Sequence, residues 1–323
     1  MFWEATGNYN NYSYSAGDFN GDGRTDQLLS ANGPGAWITR VAYSNGDGSF
    51  TAPIVLQRNG NYGGPVIVAG DFNGDGRTDI SLVGNNSSVW LAWSALTSIQ
   101  PYSLTAVTQG LGAQTTVTYK TLSQPGAPYT KDTGAVYPTV EFQGALYVVS
   151  QLQKSNGIGG TVTSNYAYAG ARGNSSGHGL LGFREVKVTD PQTGIEQLIT
   201  YRQDFPFIGM TATETKKLGS LTLNQVTNSY QFKDASGGTT ISPTSAPYQV
   251  FLTQSQAASA DLDGSVMPSI TSTYQYDAYG NALQIVVSTS DGHIKTTTNT
   301  FSNDATNWLL GRLTGATVSS TAP

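Results

Sequence analysis

The same ten residues, Gly-Asp-Phe-Asn-Gly-Asp-Gly-Arg-Thr-Asp, occur twice in this chain, at positions 17–26 and 70–79. Counted from the first aspartate, each copy places an oxygen-bearing side chain at its first, third, fifth and ninth positions. The two copies contain six aspartates and two arginines, so they supply a charge of −4 to a chain whose formal net charge is −5. The acidity is therefore concentrated in two short segments, where clustered carboxylates favour a bound cation.

Calcium is the cation that this pattern indicates, because Ca2+ binds about six to eight oxygens from carboxylates, amides and backbone carbonyls. Gly23 and Gly76 stand at the sixth position, where a calcium loop of the EF-hand type needs glycine for its sharp turn. The alternative is a metal-free turn, since Asn, Asp and Gly favour turns by themselves. The predicted ligands, with each arginine contributing its backbone carbonyl, are Asp18, Asn20, Asp22, Arg24 and Asp26 in the first copy and Asp71, Asn73, Asp75, Arg77 and Asp79 in the second.

The pattern differs from an EF-hand at its end and at its flanks. Leu29 and Leu82 occupy the twelfth position, where an EF-hand has a bidentate glutamate. Short apolar runs rich in β-branched residues flank the second copy at 66–69 and 80–83, and such runs are typical of strands. The sequence thus predicts a calcium loop between two strands, closed by the aspartate at the ninth position.

The composition is that of an all-β protein. Charged residues make up 11% of the chain, against about 25% in average soluble domains. The 18 tyrosines, together with abundant threonine, favour strands, and the 38 glycines favour tight connections. There is no cysteine, which excludes disulfides and thiolate chemistry.

The sequence also gives expectations about nucleic acid, membranes and export. A pI of about 4.9 and the lack of a basic patch exclude nucleic-acid binding. No apolar run approaches the ~18 residues that a membrane span requires, so no membrane span is expected. The first residues do not show the basic and apolar regions of a signal peptide.

The chain divides into two predicted regions, 1–98 and 99–323. The first holds the two decamers with a period of 53 residues and about four short strands per repeat, which is typical of a propeller blade. Propellers have about four to eight blades, so we expect further blades upstream of these two. The second region contains strand-like runs that end in an aromatic residue, at 115–119, 164–168, 197–201, 271–276 and 297–301.

Several segments resemble known families. The two decamers resemble FG-GAP repeats, also called VCBS repeats, of integrin-type propellers. The segments at 104–119, 166–170, 179–184 and 201–209 resemble the region that follows the propeller in the B component of insecticidal toxin complexes and in Salmonella virulence plasmid protein B. The segments at 276–281 and 308–313 are similar to the YD repeat of RHS proteins and to the residues that follow it.

This resemblance implies a partial β-propeller of FG-GAP/VCBS blades followed by strands of an RHS-like β-shell. In that family the shell encloses a toxic segment, and the propeller docks onto a pore-forming component and gates release. The implied partners are therefore other blades, shell segments and a pore-forming component, and the implied location is outside the bacterial cell or on its surface. The chain departs from the family in its two blades, its single clear YD motif and the lack of a visible toxin domain.

No catalytic site is expected. His178 and His293, the two histidines, fall in turn-like segments without a nucleophile-elbow pattern. Glycoside hydrolysis needs two carboxylates that flank a sugar bond, but spacing selects no pair among Glu141, Glu185, Glu196, Asp190, Asp204 and Asp277. The leading interpretation is a noncatalytic structural part of a toxin-complex-like shell. The alternatives are an integrin-like calcium-dependent adhesion or glycan-binding module and a secreted polysaccharide-active enzyme.

Overall fold

The structure is a computed structural model that describes residues 12–33, 36–59, 63–86, 89–95, 103–233 and 247–323. These residues form strands, turns and irregular segments without a helix, which confirms the predicted all-β class. The described ranges accordingly contain no helix of the length and apolarity that crossing a membrane would require.

The chain forms two compact units. The first comprises Met1–Ala127 and Gln143–Ser150, and the second comprises Pro128–Phe142 and Gln151–Pro323. The region boundary predicted from the sequence, between residues 98 and 99, lies outside the described residues. The β-strand at Tyr147–Ser155 contributes its first residues to one unit and its last residues to the other.

Two sheets of the first unit carry the decamers. A four-stranded antiparallel sheet follows the chain order β1-β2-β3-β4, and a three-stranded antiparallel sheet follows the order β5-β6-β7. No closed propeller is formed by the described strands. The bounds are β1 Tyr12–Gly17, β2 Asp26–Gly33, β3 Ala36–Ala42, β4 Ile54–Asn59, β5 Gly63–Gly70, β6 Asp79–Asn86 and β7 Val89–Ala95.

These two sheets share one hydrophobic core. Phe19, Leu28 and Val41 of the first repeat pack with Ile80 and Leu82 of the second, and all five are almost fully buried. The cluster draws side chains from both repeats, so the two repeats stabilise each other by joint burial of apolar surface. The first decamer contributes Phe19 to this core, and the second decamer is followed directly by Ile80, which belongs to it.

The rest of the first unit is a hairpin with an adjoining strand. β8 (Ala106–Thr108) pairs with β9 (Gln114–Thr121), and β9 neighbours β12 (Tyr147–Ser155). The Oγ of Ser150 donates a hydrogen bond to the carbonyl of Thr118 at 3.1 Å, which ties β12 to β9. This segment brings Thr121 and Tyr147 close to the second decamer.

The second unit is an antiparallel meander, in which each strand from β13 to β22 pairs with the next strand along the chain. β10 and β11 pair with β13 instead, in parallel and antiparallel orientation respectively. The bounds are β10 Tyr129–Thr130, β11 Thr139–Glu141, β13 Thr161–Asn174, β14 Gly179–Thr189, β15 Ile195–Tyr201, β16 Thr211–Leu218, β17 Leu221–Lys233, β18 Gln249–Ser259, β19 Ile270–Tyr276, β20 Ala282–Thr289, β21 Ile294–Asp304 and β22 Leu309–Thr321.

The strand predictions for the aromatic-ended runs are confirmed. The run at 115–119 lies in β9, and the runs at 164–168, 197–201, 271–276 and 297–301 lie in β13, β15, β19 and β21. The apolar runs at 66–69 and 80–83 likewise lie in β5 and β6. Tyrosine and threonine favour strands by themselves, which made these runs recognisable; alternating exposure is visible in parts of β19 and β21, whereas β15 is half-buried along its whole length.

Candidate metal-binding loops

Each decamer is the connection of a β-hairpin. Gly17 pairs with Asp26 at the mouth of the first loop, between β1 and β2, and Gly70 pairs with Asp79 at the mouth of the second, between β5 and β6. The sixth-position glycines Gly23 and Gly76 have φ angles of 81° and 84°. Only glycine adopts such angles without strain. The sequence prediction of a sharp turn between strands is therefore confirmed.

The first aspartate organises the backbone of each loop. Asp18 Oδ1 accepts hydrogen bonds from the N–H groups of Gly21 (2.6 Å) and Asp22 (3.1 Å), and Oδ2 accepts one from Gly23 (2.8 Å). Asp71 accepts the same three bonds in the second loop, at 2.7, 3.0 and 2.8 Å. A carboxylate has about four lone-pair sites, and these bonds use three of them. One site therefore remains for a cation.

The third and fifth positions lie side by side. Asn20 Oδ1 accepts a hydrogen bond from the N–H of Asp22 at 3.1 Å, and Asn20 Nδ2 donates to Asp22 Oδ2 at 3.1 Å. Asp22 Oδ1 in turn accepts from the N–H of Arg24 at 2.9 Å. The second loop repeats these bonds at 2.9, 3.1 and 3.0 Å. The structure thus brings together the predicted ligands of the third and fifth positions in both copies.

The closing aspartates are fully buried. Asp26 accepts hydrogen bonds from the N–H groups of Phe19 (2.9 Å) and Ser44 (2.8 Å), and Asp79 accepts one from Phe72 (3.0 Å). Burial raises the pKa of Asp26, opposed by the two backbone hydrogen bonds and reinforced by the nearby charges of Asp22 and Asp18. A divalent cation in the loop would oppose this shift, because it favours the ionised carboxylate.

The loops differ in what covers them. The carbonyl of Gly74, in the second loop, accepts hydrogen bonds from Thr121 Oγ1 and from Ser123 Oγ (2.6 Å). The carbonyl of Asp75 accepts one from the hydroxyl of Tyr147 at 2.5 Å, and Tyr147 lies 72 residues further along the chain. Sequence analysis missed these three residues, because no local pattern marks a hydroxyl that contacts a distant loop.

A cavity of about 210 Å3 lies beside the second loop, within the first unit. Two aromatic rings, three polar or charged side chains of the loop, an amide and a proline form its walls. The lining residues are Asn73, Asp75, Arg77, Tyr119, Gln124, Pro125 and Tyr147. Such a mixture can hold a small polar molecule by hydrogen bonds and ring contacts.

The donor set of each loop suits calcium. Every predicted ligand atom is an oxygen, from carboxylates, an amide or a backbone carbonyl, and Ca2+ is a hard cation that prefers oxygen. In the parts of the chain that the structure describes, no three acidic, histidine or cysteine side chains already form a metal-binding cluster. The fit to calcium thus rests on the oxygen chemistry of the predicted ligands.

The residues considered for catalysis are engaged in ring stacking, ion pairs or turns. The ring of His178 stacks on Phe205 at 4.6 Å, and His293 Nδ1 lies 3.2 Å from Asp291. The other carboxylates face basic side chains or cap turns: Glu141 pairs with Arg172 (3.2 Å), Glu185 with Arg184 (2.9 Å), Glu196 with Lys187 (3.3 Å) and Asp204 with Arg202 (2.5 Å), while Asp190 and Asp277 accept backbone N–H groups.

Two family models match the part of the chain that contains the loops and the strands that follow them. Residues 18–81 match the family model described as an FG-GAP-like repeat, a span that includes every predicted metal ligand of both decamers. Residues 61–205 match the model described as the insecticide toxin TcdB middle/N-terminal region. No curated protein matches the chain. Neither match reaches 276–281 or 308–313, where the resemblance to YD repeats stays a prediction. The two overlapping matches, together with the all-β architecture, show that residues 18–205 are similar to a toxin-complex-like protein with FG-GAP repeats.

Proposed function

We propose that this chain is a noncatalytic structural part of a toxin-complex-type shell protein, in which two calcium-binding loops hold the FG-GAP blades in shape. The observation that carries the proposal is the repeated hairpin loop, whose carboxylates converge on one turn in both copies and lie within the family-matched segment. The role that follows is toxin encapsulation or delivery, by a protein secreted from a bacterial cell or held on its surface.

The residues that would hold calcium are the side chains of Asp18, Asn20, Asp22 and Asp26 with the carbonyl of Arg24, and the corresponding Asp71, Asn73, Asp75, Asp79 and Arg77. Bound calcium would neutralise the clustered carboxylates and lock each turn. An ion that binds only the folded state stabilises it by about 2.7 kcal/mol at a hundredfold excess over Kd. Extracellular modules often bind calcium with a Kd of about 10⁻⁴–10⁻³ M, so millimolar calcium is sufficient.

Protein partners are part of the same proposal. The buried Phe19 of the first repeat corresponds to Phe72 of the second, which is half exposed together with Val66 and Val68 of β5. Exposed apolar side chains of this kind are typical of protein contacts. Further blades, shell segments or a pore-forming toxin component are the partners that we assign, with the last drawn from the toxin-complex resemblance.

Thermal unfolding tests the calcium role. We expect chelation of calcium to lower the Tm of the wild-type chain by about 5–10 °C, from the linkage energy and the size of the protein. The double variant Asp22→Ala/Asp75→Ala should melt at the same temperature with and without calcium. Asp263→Ala, which alters an exposed turn of the second unit, is the control and should keep the calcium response. An unchanged wild-type Tm after chelation would exclude a structural metal.

A glycan-binding module is the second candidate, favoured by the cavity beside the second loop. Tyrosine rings with amide, carboxylate and guanidinium groups are suited to the apolar faces and hydroxyl groups of a sugar, and about 210 Å3 has room for one residue of it. A glycan array probed with the full chain should then give signals that Tyr119→Ala abolishes. An array without specific signals would exclude this candidate and leave the shell proposal intact.

A further inference from the structure

The two decamers are identical in sequence, yet the arginine at the seventh position has different surroundings in each. The Arg24 side chain is 43% exposed, and its Nη2 lies 3.2 Å from Asp22 Oδ2. The Arg77 side chain is 6% exposed, and its Nη2 lies 2.5 Å from Asp75 Oδ2. The same ion pair is therefore open to water in the first loop and buried in the second.

The Arg77 guanidinium is buried against the second loop. Its Nε and Nη1 are buried and have no hydrogen-bond partner among the described residues, so the Asp75 carboxylate is the group that balances its charge. Tyr147 donates to the Asp75 carbonyl, and a Cβ at Gly76 would lie 2.8 Å from the Cβ of Ala145, so the chain covers this loop closely. Arg77 borders the cavity beside the loop but is far less exposed than Arg24.

We infer that Arg77 is a resident cation that competes with calcium for Asp75, so that the first loop is the high-affinity calcium site and the second the low-affinity site. This inference rests on the proposed calcium function. A Ca2+ ion bound to Asp75 would lie within a few ångströms of a guanidinium that water does not screen. At the first loop, the Arg24 side chain is 43% exposed, so water screens the same repulsion.

The hydrogen-bonded backbone of the two loops is nearly identical, so it does not account for a difference in calcium affinity. The seven side-chain hydrogen bonds that shape each loop correspond one to one, and no pair differs in length by more than 0.2 Å. Both loops are thus equally prepared for an ion by their own backbone. The loops differ in the hydroxyl groups that contact the second loop and in the burial of the arginine, and the arginine is the difference that places a positive charge beside a predicted ligand. Breaking a buried pair is costly because it leaves an uncompensated charge.

Site-resolved titration with Ca2+ alone tests the inference on the full chain. The amide signals of Gly23 and Gly76, whose N–H groups donate to Asp18 and Asp71, report each loop separately by two-dimensional NMR. We expect the Gly23 signal to saturate at a calcium concentration about tenfold lower than the Gly76 signal, which corresponds to about 1.4 kcal/mol. Calorimetry should show two binding steps, and Asp22→Asn should remove the tighter one.

The arginine variants provide the matched comparison. Both changes keep the backbone carbonyl that is assigned as a ligand. Arg77→Gln removes the buried charge and should bring the affinity of the second loop to within about threefold of the first, while Arg24→Gln removes a charge that water screens and should lower or raise the affinity of the first loop by less than about threefold. Equal saturation of both signals, or earlier saturation of Gly76, would overturn the inference and retain the calcium function. No binding at either loop would overturn both. If Arg77→Gln fails to fold, the order in which the Gly23 and Gly76 signals of the wild-type chain saturate still tests the inference.

Discussion

Asp26 links the fold of the first loop to pH. Its carboxylate is fully buried behind the turn, and burial raises its pKa above the ordinary value of 3.8. A raised pKa means that the metal-free folded chain binds this proton more readily than the unfolded chain. Ionisation of Asp26 therefore costs stability at neutral pH, and the cost disappears as the pH falls through the folded pKa towards 3.8.

Calcium and the proton compete for this carboxylate, because a metal ligand must be ionised. We expect the increase in Tm on adding calcium to be largest near pH 7 and to shrink steadily as the pH is lowered towards the pKa of Asp26. Melting curves with and without chelator between pH 7 and pH 4.5 measure this directly. If calcium raises the Tm by the same amount at every pH in that range, protonation of Asp26 is not coupled to calcium binding.

An ion pair in the second unit shows the opposite pH dependence. The Arg184 guanidinium donates to both oxygens of Asp132, at 2.7 and 3.1 Å, and these hydrogen bonds hold the pKa of Asp132 below its usual value against the effect of burial. The pair should therefore stabilise the fold above pH 3.8, and its contribution should be lost as the pH falls through the lowered pKa.

Asp132→Asn should cost about 1–3 kcal/mol of unfolding free energy at pH 7, because a bidentate charge-assisted pair is lost and a half-exposed guanidinium keeps only Glu185. Urea unfolding at pH 7 and pH 3 measures the loss, which should be smaller at the lower pH. The matched control is Glu196→Gln, because the Glu196 side chain is 43% exposed against 20% for Asp132 and contacts Lys187 at 3.3 Å; it should cost less than about 1 kcal/mol. Equal losses for both variants would contradict the assignment.

At the scale of elements, the two hairpins form a matched pair for measuring what covers the second loop. Gly23 and Gly76 occupy the same position with φ angles of 81° and 84°. A Cβ at Gly23 would meet nothing within 4 Å, whereas a Cβ at Gly76 would lie 2.8 Å from the Cβ of Ala145. Both substitutions strain the backbone equally, so any difference between them reports the contact with Ala145.

Gly23→Ala should cost about 1–2 kcal/mol, the price of a left-handed conformation for a residue with a side chain. Gly76→Ala should cost about 1–3 kcal/mol more, because the added methyl group overpacks the contact with Ala145. Denaturant unfolding of the two variants under the same calcium concentration gives both values. Equal costs would show that the second loop is not covered by the chain segment around Ala145.

At the scale of the whole molecule, both loops belong to the first compact unit. Calcium should therefore slow hydrogen exchange in peptides from β1, β2, β5 and β6, and leave exchange within the β14–β22 meander unchanged. Hydrogen exchange followed by mass spectrometry, with and without chelator, makes the comparison, and the Asp22→Ala/Asp75→Ala variant should lose the effect. Protection that rises equally in both units would contradict a local action of the ion.

Much of this architecture could be predicted from patterns along the chain. The aromatic-ended runs of β9, β13, β15, β19 and β21 were found because alternation with tyrosine and threonine is a local signal. The pairing of β10 and β11 with β13 could not be found in this way. Both strands are short, at two and three residues, and both pair with partners more than thirty positions away, so they carry no period of their own.

The two copies of the decamer show which features of the loop depend on its own residues and which depend on distant segments of the chain. Its turn, its positive φ glycines and its hydrogen bonds are the same in both copies, because every one of those bonds joins residues no more than seven positions apart. Its environment is not the same: Phe19 is buried and Phe72 is half exposed, while Arg24 is open to water and Arg77 is enclosed. These differences arise from segments such as that around Tyr147, which reach one copy only when the chain has folded. The ligand set could thus be read from ten residues, but the relative strength of the two sites depends on burial of charge, which is a property of the assembled fold.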